Sequence, residues 1–253
     1  MSPDTARRLL EINRAFYEDH AREFSDTRSP SGSELEWIIP WVPARARVLD
    51  LGCGNGRVAR LLAARGWGGS YVGVDASATL LDEAREGMTT PGAGSVSFLQ
   101  CDVVNADPSA VLRQAGIAPL FDTVLLLALL HHIPTAQARQ AMLGRAEGLM
   151  APAGRILVST WQFLDNERMR RKLVSWSVAG IDEGDVDPND ALLGWRGSGA
   201  YRYCHWIDTT ELADLAGGAA LKVAFATRAG GREGTLSLCA VLARGGSSRA
   251  AEV

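Results

Sequence analysis

One short stretch constrains the fold of this chain more than any other: Arg47-Val48-Leu49-Asp50-Leu51-Gly52-Cys53-Gly54-Asn55-Gly56-Arg57. An apolar run stops on a carboxylate and is followed by glycines at three alternate positions. That order predicts a strand, a turn free of side chains, and a helix through Val58 to Ala64. Glycine at Gly52, Gly54 and Gly56 permits positive φ and close backbone approach, so the turn is suited to a nucleotide-like ligand. Asp50, with no partner inside the turn, suits a ligand ammonium. Taken alone, such a turn also fits a dinucleotide-binding domain or mere strand-to-helix packing.

Two later stretches narrow the choice. Tyr71-Val72-Gly73-Val74-Asp75 reads as a second strand ending in an acid, the position from which a carboxylate grips ribose hydroxyls. Val96 to Asp102 reads as a third, with Asp102 able to accept from an exocyclic adenine amine. The third glycine falls one residue early for the dinucleotide fingerprint, which also has no use for Asp50 or Asp102.

The remaining pattern alternates strand and helix, the mark of an α/β fold with a Rossmann-like doubly wound sheet. A helix is expected around Pro108 to Gln114, a mid-sheet strand over Phe121 to Ala128, and a helix from Thr135 to Leu149. A turn follows at Met150 to Gly154, then a fifth strand, Arg155 to Trp161. Leu221 to Thr227 and Thr235 to Leu242 read as an antiparallel hairpin. The expectation is seven strands, mostly parallel, with the last one antiparallel. A single domain over residues 1–245 would carry a helical cap at 1–45, a lid inserted after the fifth strand at 164–206, and a disordered tail at 246–253.

This arrangement resembles the class I S-adenosylmethionine-dependent methyltransferases, whose first motif, Asp-x-Gly-x-Gly-x-Gly, is met by Asp50, Gly52, Gly54 and Gly56. The likeness is close over about residues 47 to 163. It implies an enzyme with S-adenosyl-L-methionine as cofactor, the glycine turn against the methionine part, Asp75 on the ribose and Asp102 at the adenine. The cofactor set is then Arg28, Asp50, Gly52, Cys53, Gly54, Asn55, Gly56, Asp75, Ala76, Asp102, Val103 and Leu127.

A net charge of -3 argues against a nonspecific nucleic-acid coat. Cys53, Cys101, Cys204 and Cys239 form no Cys-x-x-Cys pair, so neither a zinc ribbon nor a disulfide framework is indicated, and no metal is expected. The longest apolar run, Val124 to Leu130, falls far short of the roughly 20 residues that cross a bilayer, and a cytoplasmic protein is expected.

A narrower resemblance rests on Phe16-Tyr17 through Phe24-Ser25-Asp26-Thr27-Arg28, on His131-His132, on Ser159-Thr160-Trp161 and on Tyr201-Arg202-Tyr203-Cys204-His205. Together they are similar to the tRNA wobble-uridine carboxymethyl methyltransferases. The chain departs from that family at Leu192-Leu193-Gly194-Trp195, where Val-Pro-Trp is usual, and lacks a Pro-Trp soon after Arg28. The resemblance implies a tRNA anticodon loop as partner, with a small activating protein as a further one; neither DNA nor a membrane is expected. His131, His132, Arg202 and Tyr203 become the catalytic candidates. Arg28, Arg202 and Tyr203 are suited to hold a carboxylate or phosphate, and Trp161, Trp195, Tyr203 and Trp206 either stack on an unpaired base or form lid core. A small-molecule acceptor, with a histidine as general base, is the alternative, and a non-catalytic cofactor-binding protein is a third.

Overall fold

The computed structural model describes residues 1–26, 33–88, 94–231 and 233–245. Arg28 and the tail from residue 246 lie outside the described residues. Two helices, α1 (Pro3–Asp19) and α2 (Ala21–Asp26), and a 3-10 helix (Ser33–Trp41) lead into β1 (Arg47–Leu51). Then follow α3 (Arg57–Ala64), β2 (Ser70–Asp75), α4 (Ala78–Gly87), β3 (Ser95–Gln100), α5 (Pro108–Gln114), β4 (Phe121–Leu127), α6 (Ala136–Gly148) and β5 (Met150–Trp161). After an insertion come α8 (Thr209–Gly218), β9 (Leu221–Ala229) and β10 (Ser237–Arg244); the insertion holds α7 (Glu167–Arg170), β6 (Leu173–Val174), β7 (Asp190–Gly194) and β8 (Tyr201–His205).

The seven strands lie in the order β3-β2-β1-β4-β5-β10-β9, with β10 antiparallel to both neighbours. Strand order reverses between β1 and β4, so their carboxyl ends open a crevice where an α/β sheet takes its ligand. Why β4 sits mid-sheet is plain from its side chains. Val124 and Leu126 enter one apolar cluster with Ile156 and Val158 of β5, while Leu125 and Leu157 enter the cluster on the other face. All three β4 residues are wholly buried, each contributing about 1.5–3 kcal/mol. A strand covered on both faces reads as the continuous apolar run seen at Val124 to Leu127.

Two expectations are revised. The turn foreseen at Met150 to Gly154 is a bulge within β5: Phe121 pairs with Met150, and the next pair, Thr123 with Arg155, skips four residues of β5. Residues 164–206, which showed no sheet pattern, build a second antiparallel sheet in the order β6-β7-β8. Its strands are short, and β7 and β8 are covered on both sides, Ala191 to Leu193 and Arg202 to His205 all being buried. Helix α1 crosses it, with Leu9 and Ile12 packing on Leu192 and Tyr203. Ser2 and Pro3 start that helix, the Ser2 Oγ accepting from the Thr5 amide at 3.2 Å.

Candidate active site

The crevice at the β1–β4 reversal is a cavity of about 570 Å³. Its floor is the glycine turn, where the structure separates the roles of two glycines. Gly54 has φ +54°, and a Cβ there would meet nothing within 4 Å, so the backbone lies open to the cavity. Gly56 has φ +74°, and a Cβ would come 2.9 Å from Ala84 and 3.1 Å from the Phe98 ring. It serves the close packing of α3 on α4 and β3 and does not line the cavity.

Asp50 is not without a partner: the Tyr71 hydroxyl on β2 donates to its Oδ2 at 2.6 Å. Its Oδ1 is buried with no hydrogen-bond partner. Burial pushes the carboxyl pKa up to about 7, against the Tyr71 hydrogen bond. An orphaned, half-protonated carboxylate at a cavity wall is what a ligand ammonium would satisfy. Asp75 accepts from the Gly54 amide at 2.8 Å and from the Ser77 amide at 2.9 Å, so it fixes the turn while fronting the cavity. Burial raises its pKa also, opposed by those backbone donors. Asp102 caps its own turn, taking the Val104 amide at 3.1 Å and the Asn105 side chain at 2.9 Å. Cys53, Asn55, Ala76, Val103 and Leu127 line the same space.

Beyond β4 the chain turns sharply at Ala128, held at φ +56° by donation of its amide to the Ser159 carbonyl (2.9 Å) and hydroxyl (3.0 Å). A left-handed non-glycine residue costs about 1 kcal/mol or more and tends to persist where surrounding structure enforces it at a functional site. The turn sets His131 and His132 on a 3-10 helix (Leu130–His132). His132 lines the cavity, whereas His131 is wholly buried behind it, its ring 4.7 Å from Trp161.

Arg202 and Tyr203 do not reach the cavity. Arg202 is 5% exposed, its guanidinium lying over Trp161, Phe16 and Trp195 at 4.5, 4.9 and 5.2 Å from the ring centroids. Trp161 and Trp195 are 6% and 5% exposed, so these aromatics form the walls of an arginine cage and leave no face for a base to stack on. Tyr203 points away, donating to Asp190 Oδ1 at 2.7 Å. That carboxylate also holds His205 Nδ1 at 2.6 Å, while His205 Nε2 meets Glu211 at 3.0 Å and Glu211 meets Arg139 at 3.0 Å. This buried chain ties the insertion to α6 and α8.

Two residues of α1 escaped the sequence-based site. Tyr17 lines the cavity with its hydroxyl 2.8 Å from His132 Nε2. Asn13 spans three elements, its Nδ2 donating to the His132 carbonyl at 3.1 Å and its Oδ1 accepting from the Tyr203 amide at 2.8 Å. The signal was there: Leu10, Asn13, Arg14 and Tyr17 recur at helical spacing and line the cavity, on the flank of the buried stripe of Leu9, Ile12 and Phe16.

Residues 48–154 match a family model described as a methyltransferase domain. With the sheet order and the glycine turn, this defines the class: the protein is a class I S-adenosylmethionine-dependent methyltransferase. S-adenosyl-L-methionine is its cofactor, and the orphaned Asp50 oxygen and the open Gly54 backbone fit one. The mouse tRNA (carboxymethyluridine(34)-5-O)-methyltransferase ALKBH8 is 27% identical over 171 residues, 68% of this chain; the chain spans only 23% of that protein's length. A trans-aconitate 2-methyltransferase of Methylobacterium nodulans is 35% identical over 136 residues, 54% of this chain and 46% of that one. Among solved structures, DhpI in complex with SAH superposes with a TM-score of 0.64 at 19% identity, covering 95% of this chain and 98% of that one, which shows the shared fold. No helix among the described residues is long and apolar enough to cross a membrane.

Proposed function

We propose that this enzyme esterifies the carboxylate of a carboxymethyl group on the wobble uridine of tRNA, in the cytoplasm. One observation carries the reading. Three stretches far apart in sequence, those that resemble the wobble-uridine enzymes, converge beside the cofactor cavity: Tyr17 meets His132 at 2.8 Å, His132 Nδ1 meets the Tyr203 carbonyl at 2.9 Å, and Arg202 lies over Phe16. The name of the mouse relative supports the same acceptor. So does charge. On an acidic chain, burial and then the charges of Arg168, Arg202 and Arg196 push the Lys172 pKa down, and of those cations Arg168 and Arg196 are exposed. A cationic face of this kind suits phosphates.

The chemistry asks little of the protein. The cofactor supplies a methyl group on a sulfonium. A carboxylate acceptor, with a pKa near 4, is already ionised at neutral pH and needs no general base. The side chains then have to hold and align it, which accounts for several kcal/mol of barrier lowering. Of the acceptor candidates His132, which lines the cavity beside Tyr17, is assigned to that task, and Asp50, Asp75 and Asp102 hold the cofactor.

The test is incubation with labelled S-adenosylmethionine and host extract, which also supplies any activating subunit. Alkali-labile label in tRNA is the expected result. Label confined to small molecules favours the second reading, a metabolite acceptor, which the name of the trans-aconitate relative supports.

A further inference from the structure

Tyr17 and His132 share a hydrogen bond whose direction the surroundings decide. His132 Nδ1 lies 2.9 Å from the Tyr203 carbonyl oxygen, which can only accept, so Nδ1 carries a proton. In neutral His132 the Nε2 atom is then the acceptor, and the Tyr17 hydroxyl donates to it across 2.8 Å. With its proton engaged by Nε2, the Tyr17 oxygen has only lone pairs to offer a carboxylate, and these repel it. One proton added at Nε2 reverses the bond: Nε2–H donates to the Tyr17 oxygen, and the Tyr17 O–H turns into the cavity as a donor. Asn13 holds this geometry, clamping the His132 carbonyl and the Tyr203 amide from one side chain.

We propose that Tyr17 positions the acceptor carboxylate through its hydroxyl, and that His132 takes up one proton when the acceptor binds, switching Tyr17 from hydrogen-bond acceptor to donor. The inference rests on the carboxylate reading above. Both residues line the cavity, and the groups around them fit the coupling. From the 3-10 helix, His131 lies with its ring 4.2 Å from that of His132. From β8 come Arg202 and Cys204, whose sulfur is 3.8 Å from Nδ1. From β5 comes Trp161, which carries no charge. From α1 come Arg14 and Glu18, paired with each other at 3.1 Å, and Asp50 stands on the same cavity wall. An anion at the Tyr17 oxygen favours the protonated imidazole, because only then does Tyr17 offer that anion a donor. Proton uptake is thereby tied to an anionic acceptor and would gain nothing from a neutral one.

Two measurements test this. In the first, steady-state kinetics at saturating cofactor are run from pH 5.5 to 8.5 on tRNA bearing carboxymethyluridine. The wild-type KM for tRNA is expected to rise with pH, up to about tenfold per unit, with kcat little changed. Tyr17→Phe is expected to raise KM at pH 6 by about ten- to a hundredfold, the range of a charge-assisted hydrogen bond, and to flatten the profile while the affinity for S-adenosylhomocysteine stays intact. A flat wild-type KM matched by the variant overturns the inference and leaves the tRNA reading standing. A kcat/KM that climbs with pH and is lost in Tyr17→Phe overturns it in favour of a relay removing a proton from the acceptor.

The second measurement is independent of turnover. The His132 imidazole is titrated by NMR with S-adenosylhomocysteine bound, with and without saturating acetate at constant ionic strength. Acetate is expected to raise the His132 pKa in wild type and to leave it unmoved in Tyr17→Phe. No shift in the wild type overturns the inference. A shift in an enzyme that never methylates tRNA keeps the switch and rejects the acceptor instead.

Discussion

Cofactor affinity should depend on pH through a single buried acid. With burial holding the Asp50 pKa up to about 7, only about a tenth of the sites are ionised at pH 6 and about a hundredth at pH 5. If the ligand ammonium pairs with the carboxylate Oδ1, each unit below 7 weakens binding about tenfold, or about 1.4 kcal/mol. Binding at pH 6 must also release close to one proton per site. Calorimetry with S-adenosylhomocysteine between pH 5 and 7, in buffers of different ionisation heat, reads both quantities. Two variants sharpen the result. Asp50→Asn should bind weakly at every pH and release no proton, losing about 1.5–3 kcal/mol for a hydrogen bond to a charged group. Tyr71→Phe deletes the bond that lowers the Asp50 pKa and should move the break to higher pH. A dissociation constant that stays flat from pH 5 to 7, without proton release, would refute the assignment of Asp50 to the ammonium.

Three further outcomes are expected. Asp75→Ala should cost about 1–3 kcal/mol of cofactor affinity by removing the carboxylate that both fronts the cavity and fixes the Gly54 amide, and unchanged binding by calorimetry would contradict this. The glycine turn should split by phenotype: Gly56→Ala, with its Cβ 2.9 Å from Ala84, should lose about 2–4 kcal/mol of stability in urea denaturation, whereas Gly54→Ala should lose cofactor affinity and only about 1–2 kcal/mol of stability. For His205, burial lowers the pKa but the bonds to Asp190 and Glu211 outweigh it, so the folded value lies above 6.5. Its stabilisation is therefore full below about pH 6.5 and fades as pH rises through the raised folded value. His205→Gln should cost about 3–5 kcal/mol near pH 5.5 and less at 8.5, and an equal loss at both would sink the imidazolium assignment.

The part of the cavity built on β1 and β2 was legible because its determinants are local. An apolar strand ending in an acid can be seen at Asp50 and Asp75 without knowing which strands are neighbours, and three glycines at fixed spacing admit few backbones. Asp50 shows the limit of that reading. Its partner, Tyr71, is 21 residues away and meets it only because β1 and β2 pair in register, Asp50 opposite Gly73. The acceptor half was harder. Arg202, Tyr203 and Cys204 are adjacent in a family-like motif, yet β8 turns alternate side chains to opposite faces, so Tyr203 leaves for Asp190 while Arg202 enters the aromatic cage. Because both faces of β7 and β8 are covered, no polar-apolar alternation marked them as strands. Tyr17 belongs to the same class of miss, as helical spacing shows that a face exists and not what lies opposite it.

Asn13 has a consequence for anyone who recombines enzymes of this fold. Through one amide it joins the amino-terminal helix, the loop after β4 and the inserted sheet, three parts that occupy residues 3–19, 130–132 and 173–205. Those parts therefore have to be moved as a unit. A graft that transplants the insertion alone to change the acceptor would carry Tyr203 to a host with nothing to receive its amide. A graft that carries the helix along brings its own fastening.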